Sequence, residues 1–383
     1  MIVTGVHKRL LDVQMRLKIA LLALWWYKNP VSVVKVIRSF FDLRRQHQHY
    51  RYIPKLMLVD GRRYSRLIIP GAPSAACRRF LKNEMHRLLP IAGYQSGLQV
   101  LILAITKKCP LQCQHCFEWK ALNHKETLTL DNLKEIVKRF QNMGVAQIEL
   151  SGGEPLNRFD DMLQLLQTAR KNTDFWLLTS GYGLTAGKAN RLKQAGLTGV
   201  SVSLDHWNPQ WHDQFRGTEG SFNHAKEAVQ HALKANLVVA LSVCVTKEFC
   251  TRQNLYQYAE LAKDWGVHFI RLLEPRAAGR YEGKPVHLSP QQIQLLEDFA
   301  QDIDTSPQYL NYPLIDYYGA NQRRAGCSGA GNRYLYIDTD GNMHACPFCQ
   351  NSSGNALGNN FTAGIANLKQ QGCHVYETVN IDR

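Results

Sequence analysis

The stretch "AITKKCPLQCQHCFEW" (residues 104–119) places Cys109, Cys113 and Cys116 directly after an apolar run. Three thiolates spaced three and then two residues apart on a loop suit three corners of a cubane iron–sulfur cluster. A structural zinc site needs four ligands, usually in pairs, and only His115 lies near enough in sequence to complete one. The spacing therefore favours a cluster with one iron free for chemistry over a zinc site or a chance grouping.

Regular alternation of strand and helix patterns surrounds this loop. Strands are predicted at residues 98–106, 146–151, 174–180, 199–205, 238–246 and 268–274. Helices are predicted near residues 129–143, 159–171, 186–195, 221–235 and 252–265. This alternation predicts right-handed βαβ units and a parallel sheet. The fold class is α/β, as an open doubly wound sheet or as a curved partial barrel, and both place functional groups at the carboxyl ends of the strands.

The unusual residues do follow the predicted strand ends. The cysteine loop follows the first strand, "SGGEP" (151–155) the second, "TSGY" (179–182) the third and "SLDH" (203–206) the fourth. Because carboxyl ends of parallel strands meet at one edge of the sheet, these motifs predict a single active site.

The cysteine loop followed by Gly152-Gly153-Glu154-Pro155 resembles the radical S-adenosylmethionine (SAM) superfamily over about residues 98–275. The resemblance implies a partial (β/α)6 TIM-like barrel and a [4Fe–4S] cluster whose free iron binds the amino and carboxylate groups of SAM. Reduction would cleave SAM to a 5′-deoxyadenosyl radical that abstracts a substrate hydrogen. Cys109, Cys113 and Cys116 would be the cluster ligands.

Contacts to SAM are also implied by the resemblance. A glycine pair leaves the backbone open to the methionine amino group because no Cβ blocks the approach. An arginine suits a carboxylate because its planar guanidinium donates two parallel hydrogen bonds. His115 stands where the family often has a larger aromatic residue, and it would stack near the adenine. The implied SAM contacts are His115, Gly152, Gly153, Glu154, Ser180, Ser203 and Arg216.

A second cysteine-rich region lies near the C-terminus. Cys327 precedes a predicted hairpin with "TDGN" (339–342) at its turn, and Cys346, Cys349 and Cys373 follow. The pattern resembles the SPASM and twitch extensions of radical SAM enzymes, and four cysteines fit the shorter, single-cluster form. A zinc site has the same ligands available. The resemblance favours an auxiliary [4Fe–4S] cluster, while Cys77, Cys244 and Cys250 fall outside both sets.

Positive charge is concentrated in the first quarter of the chain. Residues 1–95 carry 18 Lys and Arg against 4 Asp and Glu, whereas the whole chain carries 46 against 31. The apolar run at residues 19–26 is too short to span a bilayer and lacks a signal-peptide cleavage site. Val33, Val34, Ile37, Phe40 and Phe41 share one face of a predicted helix. Residues 1–50 are therefore predicted either to lie on an anionic membrane surface or to pack on the protein itself.

The predicted organisation has four parts: a basic N-terminal region (1–95), a radical SAM barrel (96–280), a helical linker (281–325) and an auxiliary-cluster domain (326–383). Clustered cysteines in a long chain favour a reducing, cytoplasmic compartment. Within it, the basic N-terminal region could hold the protein peripherally on the inner face of the membrane.

The two-cluster pattern resembles enzymes that oxidise or cross-link ribosomal peptides. The expected substrate is therefore a peptide or a lipid-linked molecule, with a flavodoxin or ferredoxin as electron donor. Other readings are modification of a nucleic acid or of a small alcohol or sugar, or a non-catalytic iron–sulfur or zinc protein. The basic arm mixes its charges with apolar helix, which argues against nucleic acid.

Overall fold

The computed structural model describes residues 1–47, 52–95, 97–349, 351–373 and 375. Its strands are β1 (Ile2–Thr4), β2 (Lys55–Val59), β3 (Arg62–Tyr64), β4 (Val100–Ala104), β5 (Gln147–Ser151), β6 (Asp174–Thr179), β7 (Leu197–Ser203), β8 (Val238–Cys244), β9 (Phe269–Leu273), β10 (Leu314–Tyr317), β11 (Tyr334–Ile337), β12 (Asn342–His344) and β13 (Ser352–Asn355). Its helices are α1 (Gly5–Tyr27), α2 (Pro30–His47), α3 (Ala75–Leu88), α4 (Leu130–Asn142), α5 (Phe159–Thr168), α6 (Ala186–Ala195), α7 (Pro209–Arg216), α8 (Ser221–Lys234), α9 (Arg252–Asp264), α10 (Pro290–Thr305), α11 (Tyr318–Ala325) and α12 (Phe361–Gln371).

The central sheet has the order β10-β9-β8-β7-β6-β5-β4-β11-β12-β13. The pairs from β10 to β4 are all parallel, and β11 adds to β4 in parallel with Tyr334 opposite Val100. Only β12 and β13 run antiparallel to their neighbours. The six predicted strands and five predicted helices are confirmed, and the α/β class with a largely parallel sheet is established.

Most of the main core lies between one face of this sheet and helices α4 to α10. Threonine and serine side chains at the N-caps of four of these helices accept a backbone N–H of the first turn, which defines where each helix begins: Thr129, Thr185, Thr251 and Ser289. Short helix-to-strand connections then return the chain to the sheet in the same direction each time, so the loops that follow the parallel strands all lie at one edge of the sheet.

Strands β2 and β3 form a hairpin with Asp60 and Gly61 at its turn, and they join β1 in a small antiparallel sheet. Side chains of this hairpin region pack against residues at the amino-terminal part of the central strands: Met57, Val59, Tyr64 and Leu67 against Trp176, Val238, Ala240, Phe269 and Leu314. The N-terminal region therefore covers the end of the sheet opposite the cysteine loop.

Helices α1, α2 and α3 pack on one another. Val33, Ile37 and Phe40 of α2 contact a cluster that includes Ile19, Ala23, Val36 and residues of α3. The Tyr27 hydroxyl donates to the carbonyls of Met85 and Leu89 at 2.9 and 2.6 Å. This α2 face therefore packs on the protein itself, one of the two alternatives predicted for residues 1–50, and only part of the range lies in the described chain.

Between residues 96 and 325, one strand and one helix lie outside the predicted pattern. The linker predicted to be helical contains α10 and α11, but it also supplies β10, which pairs in parallel with β9. Helix α7 is a further short helix before Arg216. No helix in the described part of the chain is long and apolar enough to cross a membrane.

Candidate active site

The cysteine loop leaves the carboxyl end of β4 and is held by the loop that follows β5. Gly153 N donates to the Thr106 carbonyl at 2.8 Å, and Glu154 N donates to the Lys108 carbonyl at 2.7 Å. A Cβ at Gly152 would lie 2.5 Å from the Thr106 oxygen, and a Cβ at Gly153 would lie 2.4 Å from the Lys108 oxygen. Only glycine permits this approach, so the glycine pair positions the backbone that leads into Cys109.

Two other segments support the same loop. Gln112 N donates to the Arg216 carbonyl at 3.1 Å, and a Cβ at Gly217 would lie 2.9 Å from the Gln112 oxygen. Arg280 N donates to the Cys116 carbonyl at 3.0 Å. The loop is therefore fixed by backbone contacts from β5, α7 and the turn after β9, as a preorganised ligand set requires.

The side chain of Asn123, later in the same loop, makes two hydrogen bonds to the backbone of Cys109. Its side-chain oxygen accepts from Cys109 N and its amide nitrogen donates to the Cys109 carbonyl, both at 3.1 Å. This paired contact fixes the backbone of Cys109 on both sides.

The three thiols are half-buried and interact electrostatically with one another. Burial raises the pKa of Cys109 to about 11 and that of Cys116 to about 12. Thiols with such pKa values bind as thiolates only when a cation replaces their protons. Three soft ligands on a fixed loop fit a [4Fe–4S] cluster. In the described part of the chain no three His, Cys, Asp or Glu side chains lie close enough to hold a single metal ion.

Arg216 lies directly beside this loop. Its guanidinium is 2.5 Å from Asp205 Oδ2, and its Nη1 donates to Cys113 Sγ at 3.5 Å. Burial alone would raise the pKa of Asp205, but Arg216, His115 and His212 hold that pKa below its ordinary value. The predicted contact of Arg216 with the SAM carboxylate stays a prediction, and the geometry shows a buried ion pair against the sulfur of Cys113.

His115 stacks on Phe215, with ring centroids 4.8 Å apart and planes 21° apart. Burial lowers the pKa of His115 to about 4, so the ring is neutral at physiological pH. Its Nδ1 atom is buried without a hydrogen-bond partner. The imidazole is therefore placed at the loop with one polar atom still available to a ligand, and stacking on adenine stays a prediction.

Glu154 and Ser180 contact each other directly. The Ser180 hydroxyl and backbone N–H donate to Glu154 Oε2 at 2.6 and 2.8 Å, and the Thr179 hydroxyl donates to Oε1 at 2.7 Å. Burial raises the pKa of Glu154, against these hydrogen bonds. Ser203 ends β7 opposite Ser242 and is half-buried. Glu154 therefore ties the ends of β5 and β6 together, and the SAM contacts predicted for these residues remain untested.

The C-terminal cysteines also approach one another. The Cys346 thiol donates to Cys349 Sγ at 3.3 Å, which lowers the pKa of Cys349 to about 7 and raises that of Cys346. Cys327 interacts electrostatically with Cys373 and with Cys346. Gly329 N donates to Cys327 Sγ at 3.3 Å. All four predicted ligands therefore lie in one region, after α11, on the hairpin side of the sheet.

Aromatic side chains join the two cysteine regions. Phe117 follows Cys116 and makes edge contacts with Tyr336 of β11 at 5.8 Å and with Phe348 at 6.1 Å between ring centroids. Phe348 lies between Cys346 and Cys349 in sequence. The two cysteine regions are thus joined by contacts between the aromatic side chains that lie next to their thiols in sequence.

A cavity of about 200 Å³ lies at this junction. Its walls come from both regions: Phe117, Glu118, Lys120, Ala121, Gly279, Glu282, Tyr336, Asp338, Thr339, Asp340, His344, Pro347 and Cys349. The Tyr336 hydroxyl donates to Glu118, and His344 Nε2 is 2.9 Å from Asp338 Oδ2. Most of the lining is polar or charged, with Phe117 and Tyr336 as its aromatic side chains, so the cavity suits a polar group better than an apolar one.

Sequence reasoning missed several of these residues. Phe117, Glu118 and Phe348 lie close in sequence to predicted cysteine ligands. That closeness is the one feature of the sequence that could have marked them as site residues. Tyr336 and the Gly279–Tyr281 turn reach the site only through the tertiary fold, and no local pattern marks them.

Comparison with known proteins places these features in a family. Residues 103–249 match the model of the radical SAM superfamily. Over 284 residues the chain is 28% identical to mycofactocin maturase MftC of Mycobacterium tuberculosis, covering 72% of this chain and 70% of that protein. It is 31% identical over 206 residues to GTP 3′,8-cyclase of Desulforamulus reducens, covering 50% and 62%.

The fold is also similar to that of a solved enzyme. Streptococcus suis SuiB bound to precursor peptide SuiA superimposes with a TM-score of 0.58, 13% sequence identity, and coverage of 79% of this chain and 73% of that one. This likeness extends to a structure of SuiB bound to S-adenosylmethionine, with a TM-score of 0.55. The matched model spans the cysteine loop and the motifs after β5, β6 and β7, so residues 103–249 are a radical SAM domain and the protein is an enzyme.

Proposed function

We propose that this enzyme modifies a peptide, with an auxiliary iron–sulfur cluster of the SPASM or twitch type supporting oxidation or cross-linking. The observation that carries the proposal is the cavity of about 200 Å³ with walls from both cysteine regions. A side chain in that cavity would lie against Cys349 of one set and against Phe117, the residue that follows Cys116 of the other set. The names of two relatives point the same way, since one is a maturase and the other is bound to a precursor peptide.

When bound, a [4Fe–4S] cluster and SAM would supply the radical chemistry, which is the abstraction of a hydrogen atom from the substrate. Cys109, Cys113 and Cys116 would hold that cluster on the loop fixed by Gly152 and Gly153. The buried Arg216–Asp205 pair would keep positive charge next to Cys113 and so stabilise a negatively charged sulfur there.

Cys327, Cys346, Cys349 and Cys373 would hold the auxiliary [4Fe–4S] cluster. Cys349 lines the cavity itself, so a cluster there would be within reach of the substrate. Phe117 and Phe348 would separate the two metal sites and keep water from the space between them. A flavodoxin or ferredoxin is the proposed electron donor.

The proposed setting is cytoplasmic, peripheral to the inner face of a membrane, where residues 1–50 would meet anionic lipid. That setting would also suit a peptide or a lipid-linked substrate presented at the membrane.

The test is iron and sulfide content after anaerobic reconstitution, together with 5′-deoxyadenosine release under strong reductant. Two [4Fe–4S] sites predict about eight irons per chain in the wild type and about four in the Cys109→Ala/Cys113→Ala/Cys116→Ala variant. The Cys346→Ala variant should still release 5′-deoxyadenosine without substrate but should form no product.

Cys250→Ala is the matched control, because Cys250 is buried and lies outside both thiol sets. It should keep the full iron content. If the wild type held about four irons and the triple variant held none, the proposed auxiliary cluster would be absent. Zinc in place of iron would overturn the proposal.

A further inference from the structure

Helix α1 carries a continuous apolar stripe that the described part of the protein leaves exposed. Its members recur every three or four residues and are each 47% to 72% exposed: Val6, Leu10, Val13, Leu17, Leu21, Leu24 and, at the end, Trp25. At 3.6 residues per turn these positions fall on one side of the helix. Seven large apolar side chains in one row are more than scattered surface exposure provides.

This stripe is distinct from the face by which α1 packs. The packed face holds Met15, Ile19, Leu22, Ala23 and Trp26, which contact α2 and α3. Helix α1 is therefore apolar on two opposite sides, and tertiary packing explains only one of them.

Basic side chains border the exposed stripe along both edges. With 100° per residue, Arg9 and Arg16 lie along one edge, and His7 and Lys18 lie along the other. All four are exposed. The one acidic residue of α1, Asp12, lies toward the packed side and pairs with Lys8 at 2.5 Å. The surface thus combines apolar side chains with uncompensated positive charge.

Helix α2 also exposes both apolar and basic side chains. Val31 and Val34 are 77% and 67% exposed, and Lys35 and Arg38 beside them are exposed as well. Val34 was predicted to share a face with Val33, Ile37 and Phe40, but it lies at the edge of that face and stays exposed while the other three pack on the protein.

We propose that the exposed α1 stripe is a docking surface for an anionic lipid bilayer, with the helix lying in the plane of the interface. Apolar side chains would enter the acyl boundary, and Arg9, Arg16 and Lys18 would contact lipid phosphates. Trp25 would sit at headgroup depth at the C-terminal end. A second copy of the chain is a poorer occupant, because two surfaces with the same positive border repel each other.

The inference gives the proposed membrane setting a specific surface and does not depend on the radical chemistry. The small sheet beside α1 packs on the amino-terminal end of the central strands, whereas the cysteine loop lies at the carboxyl end. Docking by α1 would therefore place the bilayer near the amino-terminal end of the central strands. The cysteine loop, at the carboxyl end, would stay uncovered.

The test is co-sedimentation of the full-length protein with two kinds of vesicle, one of phosphatidylcholine alone and one of equal parts phosphatidylglycerol and phosphatidylcholine. The wild type should bind the anionic vesicles and bind the neutral ones far more weakly. Leu17→Gln/Leu21→Gln should lower binding about tenfold or more, because glutamine keeps helix propensity but removes the apolar contact.

Charge is tested by Arg9→Gln/Arg16→Gln/Lys18→Gln, which should weaken binding to anionic vesicles about tenfold at low salt. Its matched control is Lys138→Gln/Lys226→Gln/Lys234→Gln, which removes the same charge from exposed positions on α4 and α8 and should bind like the wild type. Trp211→Gln, at a 60% exposed apolar residue of α7, is the corresponding apolar control.

Unchanged vesicle binding by Leu17→Gln/Leu21→Gln, or no binding by the wild type, would overturn the inference. A wild-type dimer in lipid-free sedimentation that this variant dissociates would assign the stripe to a second copy instead. The Cys109→Ala/Cys113→Ala/Cys116→Ala variant should bind vesicles normally. Its result separates failure of lipid docking from failure of the proposed chemistry.

Discussion

The two ends of the central sheet differ in what their side chains contact. At the carboxyl end, glycines admit a loop in which burial raises the pKa values of Cys109 and Cys116, and the residues that follow Cys116 form part of a cavity wall. At the amino end, basic side chains of residues 1–95 donate to backbone carbonyls and carboxylates of the barrel itself. The carboxyl end is thus arranged to bind ligands, and the amino end holds the fold together. Substitutions at the carboxyl end should therefore change SAM cleavage, whereas those at the amino end should change stability.

Lys55 is the clearest case at the amino end. Its side chain is 1% exposed, and Nζ donates to the carbonyls of Ile303, Tyr309, Tyr312 and Pro313 at 2.8 to 3.2 Å. Burial lowers the pKa of Lys55 to about 8. One ammonium thus lies within hydrogen-bonding distance of four carbonyls of α10 and the segment between α10 and β10. These contacts account for the burial of the Lys55 side chain.

The largest effect is expected from Cys109→Ala. Loss of one thiolate should lower 5′-deoxyadenosine release by more than about 100-fold, a range that even outer-shell changes reach at metal sites. Cys77→Ala is the control at the amino end, where the buried thiol contacts α2 and α3. It should cost about 1 kcal/mol of unfolding free energy and leave SAM cleavage intact. If Cys109→Ala cleaved SAM at the wild-type rate, the carboxyl end of the sheet would not be the site of SAM cleavage, and the proposed difference between the two ends would be wrong.

Lys55→Met should lower the free energy of unfolding by about 3 kcal/mol, because methionine fills the volume but leaves buried carbonyls without a donor. Anaerobic urea denaturation measures this loss. Cleavage of SAM per bound iron should stay at the wild-type level, and a proportional loss of cleavage would show that the amino end also shapes the active site.

A smaller loss of stability than that of Lys55→Met is expected from Glu84→Gln, which removes the ion pair between α3 and Arg333, just before β11. Glu84 lies 2.9 Å from the Arg333 guanidinium and also accepts from Gln99. Burial alone would raise the pKa of Glu84, but Arg333, Arg87 and Gln99 hold it below its ordinary value. The variant should lose about 2 kcal/mol at neutral pH.

The pH dependence of that loss has a defined sign. Because the folded-state pKa lies below the unfolded value of about 4.5, the stabilisation by Glu84 is present above pH 4.5 and is lost as the pH falls through the folded pKa. The wild type and Glu84→Gln should therefore converge in stability in acid. A gap that stays constant down to that range would contradict the ion-pair explanation.

Local patterns in the sequence were enough to predict the six central strands, the cysteine loop and the common edge of its partner motifs. They were not enough for β10, because four residues cannot display a period and "LIDY" (314–317) gains its strand character only by pairing with β9. Asn123 was missed for a related reason. Its contact with Cys109 depends on the path of the loop, and asparagine is common in loops of every kind.

The N-terminal helices show a second limit. Periodicity indicates which residues share a face, but it does not show what covers that face. Val33, Ile37 and Phe40 form an apolar face on α2 that packs on the protein, whereas the row from Val6 to Trp25 on α1 stays exposed. Only the tertiary arrangement distinguishes the two.

The pairing of β11 with β4 has a consequence for engineering. Tyr334 to Ile337 lie opposite Val100 to Leu103, so the hairpin that leads to Cys346 hydrogen-bonds to the strand that leads to Cys109. The separation of the two cysteine regions is thereby set by strand register, and a one-residue insertion in β11 would turn its side chains to the opposite face. The C-terminal part is thus a poor candidate for a transplantable module: exchanging it between homologues would require transferring β4 and β11 together.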